Sequence, residues 1–302
     1  MNPSDEAPAV TPTAPPSDGK LRTAVPITGC VITLNEAHNI EDCLRSLAQV
    51  CDELIVVDSG STDATCELAR AMGAVVIDQP YLGDGPQKNV GPSHASHRWV
   101  LSLDADERLT DGAVSAIREL ALDSTPHDGF ALRRRNFIGS RWVRHAGWYP
   151  DYCLRLYDRE KLAFRDSRQH SSVQANHPCE LDADLEHYSF ANLGELFVKA
   201  SGRFSNRAAK IMYQKGKRAN AFTPFLHASN AFMRKFVFQA GFRDGVDGFS
   251  VALSASINAY LKYAKLLEFQ RDAKVREAED FTMEIYQKVA DKALTHQIKS
   301  FK

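Results

Sequence analysis

The fold of this protein is decided by residues 26–63, whose sequence is PITGCVITLNEAHNIEDCLRSLAQVCDELIVVDSGSTD. The apolar run Ile27–Leu34 predicts a buried strand, and Asn39 can cap the helix that follows it. The apolar side chains of that helix repeat at i, i+4 and i+7, so they form one face. A second apolar run, Leu54–Val57, predicts the next strand. This strand–helix–strand unit predicts an α/β domain with a mostly parallel sheet.

The alternation continues through two more predicted strands, Ala74–Ile77 and Trp99–Leu103. Further along, short strands are expected at Phe130–Arg134 and Leu154–Tyr157, and from Ala191 onward the patterns are helical. The N-terminal residues are rich in Pro, Ser and Thr, which favours disorder. We therefore expect three parts: a disordered tail over 1–24, the α/β domain over 25–190 and a helical region over 191–302.

The overall composition excludes several classes of protein. The chain has 302 residues, 37 Lys and Arg against 38 Asp and Glu, and a formal net charge of −1. These values exclude a globally basic nucleic-acid-binding protein and a wholly disordered chain. Six cysteines without a CxxC pair favour reduced thiols in the cytoplasm. We expect no signal peptide, and no apolar run approaches the ~20 residues of a membrane-spanning helix.

Polar side chains follow three of the predicted strands at the point where each strand ends. They form the segments Thr33–Glu36, Asp58–Asp63 and Asp104–Glu107. In a parallel sheet these ends share one edge, where ligands bind. Alternate residues of an extended chain point the same way, so Asp104 and Asp106 can face one site that suits Mg²⁺ or Mn²⁺. Each aspartate alone could be an N-cap or turn residue, but three clusters at one edge favour a cation site.

Two common nucleotide-binding motifs are missing from the sequence. There is no GxxxxGK[ST] motif, and no GxGxxG follows the first predicted strand. The first absence excludes a P-loop enzyme, and the second argues against a dinucleotide oxidoreductase. The remaining interpretation is an enzyme that holds a nucleotide diphosphate through a divalent metal.

The order of the motifs resembles that of family 2 glycosyltransferases, which have the GT-A fold, a Rossmann-like nucleotide-diphospho-sugar transferase domain. The segments that carry the resemblance are Thr33-Leu34-Asn35-Glu36, Val57–Asp63, Gln87-Lys88-Asn89 and Leu103–Glu107. Gly147–Asp151, followed by Arg155-Leu156-Tyr157, is similar to the subgroup that builds lipopolysaccharide core, including β-1,4-glucosyltransferases. The family resemblance spans about residues 26–190, and the subgroup resemblance continues to about residue 268.

The resemblance implies a role for each residue of these motifs. The nucleotide-binding residues would be Thr33, Asn35, Glu36, Asp58, Lys88, Asn89 and Asp104. Of these, Asp58 would contact the base and Asp104 the ribose. Asp106 would coordinate the Mg²⁺ or Mn²⁺ that bridges the diphosphate. A cation at this position agrees with the chemistry, because charge develops on the departing nucleoside diphosphate.

The catalytic base is the point at which the sequence departs from the subgroup. The subgroup usually has a His-Glu pair after its Arg-Leu-aromatic strand, whereas this chain has His170-Ser171. Serine is not a base at neutral pH, so the nearby candidates are Asp151, Asp166 and His170. We favour Asp151, since a carboxylate in an aromatic loop can line an acceptor cleft; it could equally be a turn residue. His170 could orient a substrate or be a core histidine.

Two further groups of side chains suggest binding surfaces. Trp142, His145, Trp148 and Tyr149 could stack on sugar rings or could simply pack the domain. The stretch from Lys199 to Arg243 contains ten Lys or Arg, eight aromatic residues and no Asp or Glu. Such a helical surface suits an anionic membrane or a phosphorylated glycolipid acceptor, although it could also be a solvated basic face over an ordinary core. No nucleic-acid motif accompanies it.

The sequence therefore predicts a cytoplasmic, peripherally membrane-associated inverting glycosyltransferase. Its donor would be a nucleotide-diphospho-sugar, UDP-glucose being favoured, and its acceptor a lipopolysaccharide-core or other cell-envelope glycan. Two alternatives stay open: transfer to a polyprenyl phosphate, and a non-catalytic protein that binds nucleotide-sugar or anionic lipid. The sequence does not identify the sugar, the acceptor or the oligomeric state.

Overall fold

The computed structural model describes residues 25–165, 172–201 and 203–272. The predicted disordered tail, Asp166, His170 and Ser171 lie outside these residues. One nine-stranded sheet forms the centre of the molecule, in the order β3-β2-β1-β4-β8-β6-β9-β5, with β7 paired to β6. The strands are β1 (Ile27–Thr33), β2 (Glu53–Asp58), β3 (Val75–Asp78), β4 (Trp99–Asp104), β5 (Glu107–Leu109), β6 (Gly129–Ile138), β7 (Arg141–Trp142), β8 (Tyr152–Asp158) and β9 (Pro178–Phe190).

The first half of the sheet has the expected parallel arrangement. Strand β1 pairs in parallel with both β2 and β4, and β2 pairs in parallel with β3. The second half is mixed, because β8 is antiparallel to both β4 and β6, whereas β9 is parallel to β6. The α/β fold class is confirmed, and the parallel part of the sheet covers its first four strands in sequence.

Both faces of the parallel half are covered by helices, which explains why its strands are continuously apolar. On β2, Leu54 and Val56 pack into one core, while Ile55 and Val57 pack into the core on the opposite face. Helix α3 approaches β1 closely at Gly91, where a Cβ atom would lie 3.1 Å from Cys30 Sγ. All six cysteines are free thiols in the structure.

Eight α-helices flank or follow the sheet in the described part of the chain. They are α1 (Ile40–Leu47), α2 (Thr65–Ala71), α3 (Asp84–His94), α4 (Asp111–Arg118), α5 (Leu193–Ser201), α6 (Arg203–Gln214), α7 (Thr223–Met233) and α8 (Gly245–Arg271). A π-helical turn over Arg234–Phe238 and a 3₁₀ turn over Gly241–Asp244 connect the last two helices. Asn39 precedes α1 as expected, but its side chain donates to Glu36 Oε2 instead of capping the helix.

The helical region packs onto the α/β domain through a shared core. Leu196 of α5 and Val251 of α8 are buried against Ile138 and Val143, which belong to the sheet side. An ion pair between Arg141 and Asp247 lies beside this core, with an Nε–Oδ2 distance of 2.7 Å. Within the described residues, no helix has the length and apolar character needed to cross a bilayer.

Candidate active site

The three polar segments identified in the sequence meet at one edge of the sheet, as the parallel pairing of β1, β2 and β4 requires. A cavity of about 830 Å³ opens at the β4 side of this edge, and no residue of Thr33–Glu36 or Asp58–Asp63 is in its lining. Its lining includes Asp84, Lys88, Asp104, Asp106, Arg134, Arg155, Phe164, Glu180 and His187. Acidic and basic side chains from β4, β6, β8, β9 and α3 therefore converge on one cleft.

Asp104, the last residue of β4, is held by two cations. Its Oδ1 lies 2.7 Å from Lys88 Nζ, and its Oδ2 accepts a hydrogen bond of 3.1 Å from Arg155 Nη2. Burial would raise the pKa of Asp104, but the charges of Lys88 and Arg155 outweigh it and hold that pKa well below its ordinary range. Asp104 is therefore a fixed, ionised hydrogen-bond acceptor.

Glu107 forms the buried floor of the site. Its side chain is fully buried and pairs with Arg155, and Arg134 Nη1 lies 3.5 Å from Glu107 Oε1. Burial would lower the pKa of Arg155, but Glu107 and Asp104 raise it above its ordinary value. A buried carboxylate is stable only with such compensation, so Glu107 serves to hold the arginines.

Asp106 is in a different electrostatic environment from these two neighbours. Its Oδ2 lies 3.4 Å from His187 Nε2, and within the described residues it forms no ion pair with a lysine or arginine. The other ring nitrogen, His187 Nδ1, lies 2.6 Å from Asn136 Oδ1. Asn136 Nδ2 donates to Trp148 O, which fixes the orientation of its amide. Because Oδ1 only accepts, this contact requires the proton on Nδ1; Ser189 Oγ lies 2.7 Å from the same nitrogen and can accept from it as well. In the neutral ring, Nε2 then presents a lone pair toward Asp106.

One carboxylate and one imidazole nitrogen fit Mg²⁺ or Mn²⁺ as a partial ligand set. In the described part of the chain no group of three His, Cys, Asp or Glu residues could hold an ion. A cation at Asp106 and His187 would thus take its remaining ligands from a diphosphate and water. Nearby, burial and then the charge of Asp106 raise the pKa of Glu36, as expected of acidic groups that lack a cation.

The loops after β1 and β2 are locked together around the predicted nucleotide-binding residues. Asn35 is in the left-handed conformation (φ 56°), and its Oδ1 accepts from Thr62 N–H at 2.8 Å. Asp58 Oδ2 accepts from the N–H groups of Gly60 and Ser61. Thr33 Oγ1 is buried without a hydrogen-bond partner among the described residues.

Helix α3 supplies two residues to the cavity, Asp84 and Lys88, and two residues that brace it. The Lys88 side chain is buried and reaches Asp104. Asn89 instead holds the backbone of Phe164, donating to its carbonyl and accepting from its N–H, both at 2.9 Å. Gln87 is fully buried and donates to Ser59 Oγ and to the Gln79 carbonyl. Asn89 is therefore near the cleft but does not line it.

The structure places Asp151 beside the cavity and not in its lining. Its Oδ2 accepts hydrogen bonds from Arg134 Nε (3.0 Å) and Nη2 (2.7 Å), so it orients an arginine that does line the cavity. His170 lies outside the described residues. In the aromatic loop, Trp148 stacks on Phe190 and His145 Nδ1 lies 2.7 Å from Asp244 Oδ1. These two side chains contact the protein itself.

Sequence reasoning missed three groups that the fold brings to the site. His187 and Asn136 lie on β9 and β6, far from the motifs in sequence, and only the pairing of these strands aligns them. Arg155 was quoted as part of a motif but not as the partner of Asp104 and Glu107. The sequence does contain a signal for this role of Arg155, because three acidic residues close together require a positive charge nearby.

A sheet with a mixed second half, an Asp-x-Asp at the end of β4 and a polar cleft at that edge define a GT-A glycosyltransferase. The family model described as glycosyl transferase family 2 matches residues 29–176. An uncharacterized glycosyltransferase of Rickettsia bellii is 30% identical over 254 residues, covering 80% of this chain and 86% of the relative. The chain belongs to glycosyltransferase family 2.

Two further proteins are similar over most of the chain. The lipopolysaccharide core biosynthesis glycosyltransferase LpsC of Rhizobium meliloti is 27% identical over 261 residues, which cover 82% of this chain and 94% of LpsC. Among solved structures, S. aureus TarS in complex with UDP-GlcNAc is 15% identical, covers 82% of this chain and 91% of that chain, and has a TM-score of 0.43.

Proposed function

We propose that this glycosyltransferase moves a hexose, glucose from UDP-glucose, onto a lipopolysaccharide-core or related cell-envelope glycan with inversion of the anomeric centre. The observation that carries the proposal is the pair Asp106–His187 in the same cleft as the Asp104–Lys88–Arg155 network. The similarity to LpsC over 94% of its length supports the acceptor class.

The donor would bind along the carboxyl edge of the parallel strands. We propose that Thr33, Asn35 and Glu36 line the nucleotide pocket, that Asp58 contacts the base and that Lys88 and Asn89 lie along the nucleotide. Asp104, kept ionised by two cations, would accept hydrogen bonds from the ribose hydroxyls. No side chain has to move to stabilise the Asp104 carboxylate when the donor binds, because Lys88 and Arg155 are already in place.

Asp106 and His187 would hold the divalent cation together with the donor diphosphate. The cation would neutralise the charge that develops on the departing nucleoside diphosphate. Asp106→Ala is expected to lower transfer by about 100-fold or more. It should also remove the Mn²⁺ binding seen by electron paramagnetic resonance in the presence of UDP. Asp123→Ala, at an exposed position away from the cleft, is the control. Full metal-dependent turnover by a folded Asp106→Ala protein would contradict the assignment.

On the acceptor side, we propose Asp151 as the base, with His170 orienting the acceptor. The acceptor oxygen would attack the anomeric carbon, the bond to the diphosphate would break, and the hydroxyl proton would pass to the carboxylate. Asp151 is one residue from Tyr152, which lines the cavity. Asp151→Asn should lower kcat with little change in donor KM. An unchanged kcat would remove Asp151 from this role.

The experiment that tests the function is a donor screen with extracted core glycolipid as acceptor and product mass as the readout. A product heavier by one hexose from UDP-glucose is the expected result. Transfer only to polyprenyl phosphate would show that the acceptor is a polyprenyl phosphate and not a core glycan. Saturable UDP binding without transfer or hydrolysis would instead indicate a binding protein. Because the proposed acceptor is lipid-borne, we also propose that the protein works at the inner face of the cytoplasmic membrane.

A further inference from the structure

The helical region carries a set of apolar side chains that the described part of the chain leaves exposed. We call this set the docking surface: Phe222, Phe225, Leu226, Met233, Val237, Phe238, Phe242 and Val246. Phe222 and Phe238 are 81% and 80% exposed, and Leu226 is 70% exposed. Soluble surfaces rarely expose so many large apolar side chains in one segment without a partner.

The spacing along α7 places several of these side chains on one face. Phe222, Phe225, Leu226 and Met233 follow one another at i, i+3, i+4 and i+11, which lie on one side of a helix. The other side packs on α8, where His227 stacks on Tyr263 at 3.9 Å and Ser256 Oγ donates to the Ala228 carbonyl. One side of α7 is thus covered by α8, which the Phe225 ring also contacts through Tyr260 at 5.3 Å, and the side that carries Phe222 and Leu226 is exposed.

A compact aromatic cluster supports the second half of the docking surface. Phe232, Phe236, Phe242 and Phe249 form ring contacts with centroid distances of 5.3 to 6.3 Å. This cluster joins the end of α7, the π-helical turn, the 3₁₀ turn and the start of α8. Phe242 belongs to the cluster and is still 55% exposed. The exposed rings therefore project from a packed base and not from a loose loop.

The exposed charges next to the docking surface are positive, and the two acidic residues that flank Val246, Asp244 and Asp247, are paired with His145 and Arg141. From Lys199 to Arg243 the chain has no Asp or Glu. The exposed cations adjoin the exposed apolar residues in sequence: Lys217 and Arg218 precede Phe222, Arg234 follows Met233, and Arg243 follows Phe242. A second copy of this chain would bring the same cations face to face, which is unfavourable. An anionic bilayer complements both the charge and the apolar side chains.

We propose that the docking surface attaches the protein to anionic membranes, with the rings at the headgroup–acyl boundary and the cations at the lipid phosphates. This inference deepens the proposed function, on which it rests for a lipid-borne acceptor. The binding itself requires neither donor nor acceptor, so it can be measured separately.

The test is flotation of the full chain with phosphatidylcholine vesicles that contain or lack phosphatidylglycerol. The protein should float with the anionic vesicles and dissociate as salt is raised. Phe222→Ser/Phe225→Ser/Leu226→Ser should reduce the partition coefficient more than about tenfold. Lys217→Glu/Arg218→Glu should reduce it by about fivefold per cation, and only on the anionic vesicles.

Matched controls come from the α/β domain. Val75→Ser on the edge strand β3 and Arg70→Glu on α2 alter an exposed apolar residue and an exposed cation, and should leave flotation unchanged. UDP release from soluble donor should be unchanged in all these variants. The result therefore distinguishes an error in the proposed membrane binding from an error in the proposed transferase activity.

Three results would overturn the inference. One is absence of flotation with anionic vesicles. Another is flotation of the triple serine variant at the level of the unaltered protein. The third is a triple variant whose reduced flotation is accompanied by a loss of thermal stability or of a dimer seen by sedimentation, since these side chains would then pack against protein.

Discussion

At the residue scale, the segment after β4 shows how three acidic side chains within four positions acquire three environments. Asp104 is neutralised by Lys88 and Arg155, and Glu107 is buried beneath Arg155. Asp106 faces His187. The sequence indicates that the acidic cluster needs compensating positive charge. The alternation of an extended chain indicates that Asp104 and Asp106 face the same side. It could not indicate which carboxylate remains without a lysine or arginine, because the compensating side chains come from other elements.

Asn136 gives a prediction at this scale, because it fixes the proton of His187 on Nδ1. Asn136→Leu removes one of the two oxygens at Nδ1, leaving Ser189 Oγ at 2.7 Å, and so weakens the orientation of the His187 ring toward Asp106. We expect Mn²⁺ affinity in the presence of UDP to fall by about 10- to 100-fold, as for other partners of metal-ligating histidines. Titration calorimetry measures this change without turnover.

Asn136→Asp is the matched variant, because a carboxylate still accepts a hydrogen bond from Nδ1. It is expected to keep most of the affinity, and thermal unfolding of both variants checks that the fold is intact. Equal Mn²⁺ affinity of the leucine variant and the unaltered protein would show that Asn136 does not orient His187 for a metal.

At the element scale, β9 is the longest of the three strands that the sequence did not predict, the others being β5 and β7. Its 13 residues, PCELDADLEHYSF, alternate apolar and acidic side chains from Cys179 to Glu186, and the apolar side chains Leu181, Ala183 and Leu185 are buried in the core. It forms because β6 lies beside it and carries Arg133, Arg134 and Arg135 in sequence. Asp184 of β9 accepts from Arg133 Nε, from Arg135 and from Tyr149 Oη–H. The strand is thus stabilised by its own buried apolar face and by charge pairing with a neighbour that is about 50 residues away.

The Asp184 cluster gives a prediction on stability and pH. Burial would raise the pKa of Asp184, but its bonds to Arg135, Tyr149 and Arg133 outweigh it and lower that pKa. A lowered pKa in the folded state contributes stability above the unfolded value, about 3.9, and this stability is lost as pH falls through the folded value. Asp184→Asn should therefore destabilise the protein at neutral pH, by about 3 kcal/mol, and less at acid pH.

Urea unfolding at several pH values measures this effect. Asp182→Asn is the control, since Asp182 lies on the same strand and also pairs with Arg133 but is 92% exposed. It should cost less than about 1 kcal/mol at every pH. A pH-independent loss in the Asp184→Asn protein would show that its ionisation is not what holds β9.

At the scale of the whole molecule, the α/β domain and the helical region share a core and are joined by hydrogen bonds. Besides the buried contacts of Leu196 and Val251, Ala146 N–H donates to the Gln239 carbonyl and His145 N–H donates to Asp244 Oδ2. The aromatic loop thus docks on the turns between α7 and α8. Its side chains were predicted either to stack on sugars or to pack the domain, and His145 and Trp148 make packing contacts.

A cavity-forming substitution tests this coupling. Leu196→Ala removes a side chain that is 4% exposed, and is expected to lower the free energy of unfolding by about 3 kcal/mol. Because the core is shared, unfolding should stay a single transition by fluorescence and circular dichroism. Val198→Ala, on the same helix but 70% exposed, should cost less than about 0.5 kcal/mol. Two separate transitions would show that the helical region unfolds independently.

The sequence by itself determined the α/β class, the four parallel strands and the meeting of three polar segments at one edge. These follow from local periodicity and from the geometry of parallel strands, which place strand ends together whatever the rest of the chain does. The tertiary structure alone decided which acid faces His187, where Asp151 points and which aromatic rings of the basic stretch remain exposed. Each of these depends on side chains contributed by strands or helices distant in sequence, and helical spacing does not distinguish a face covered by a neighbour from one left exposed.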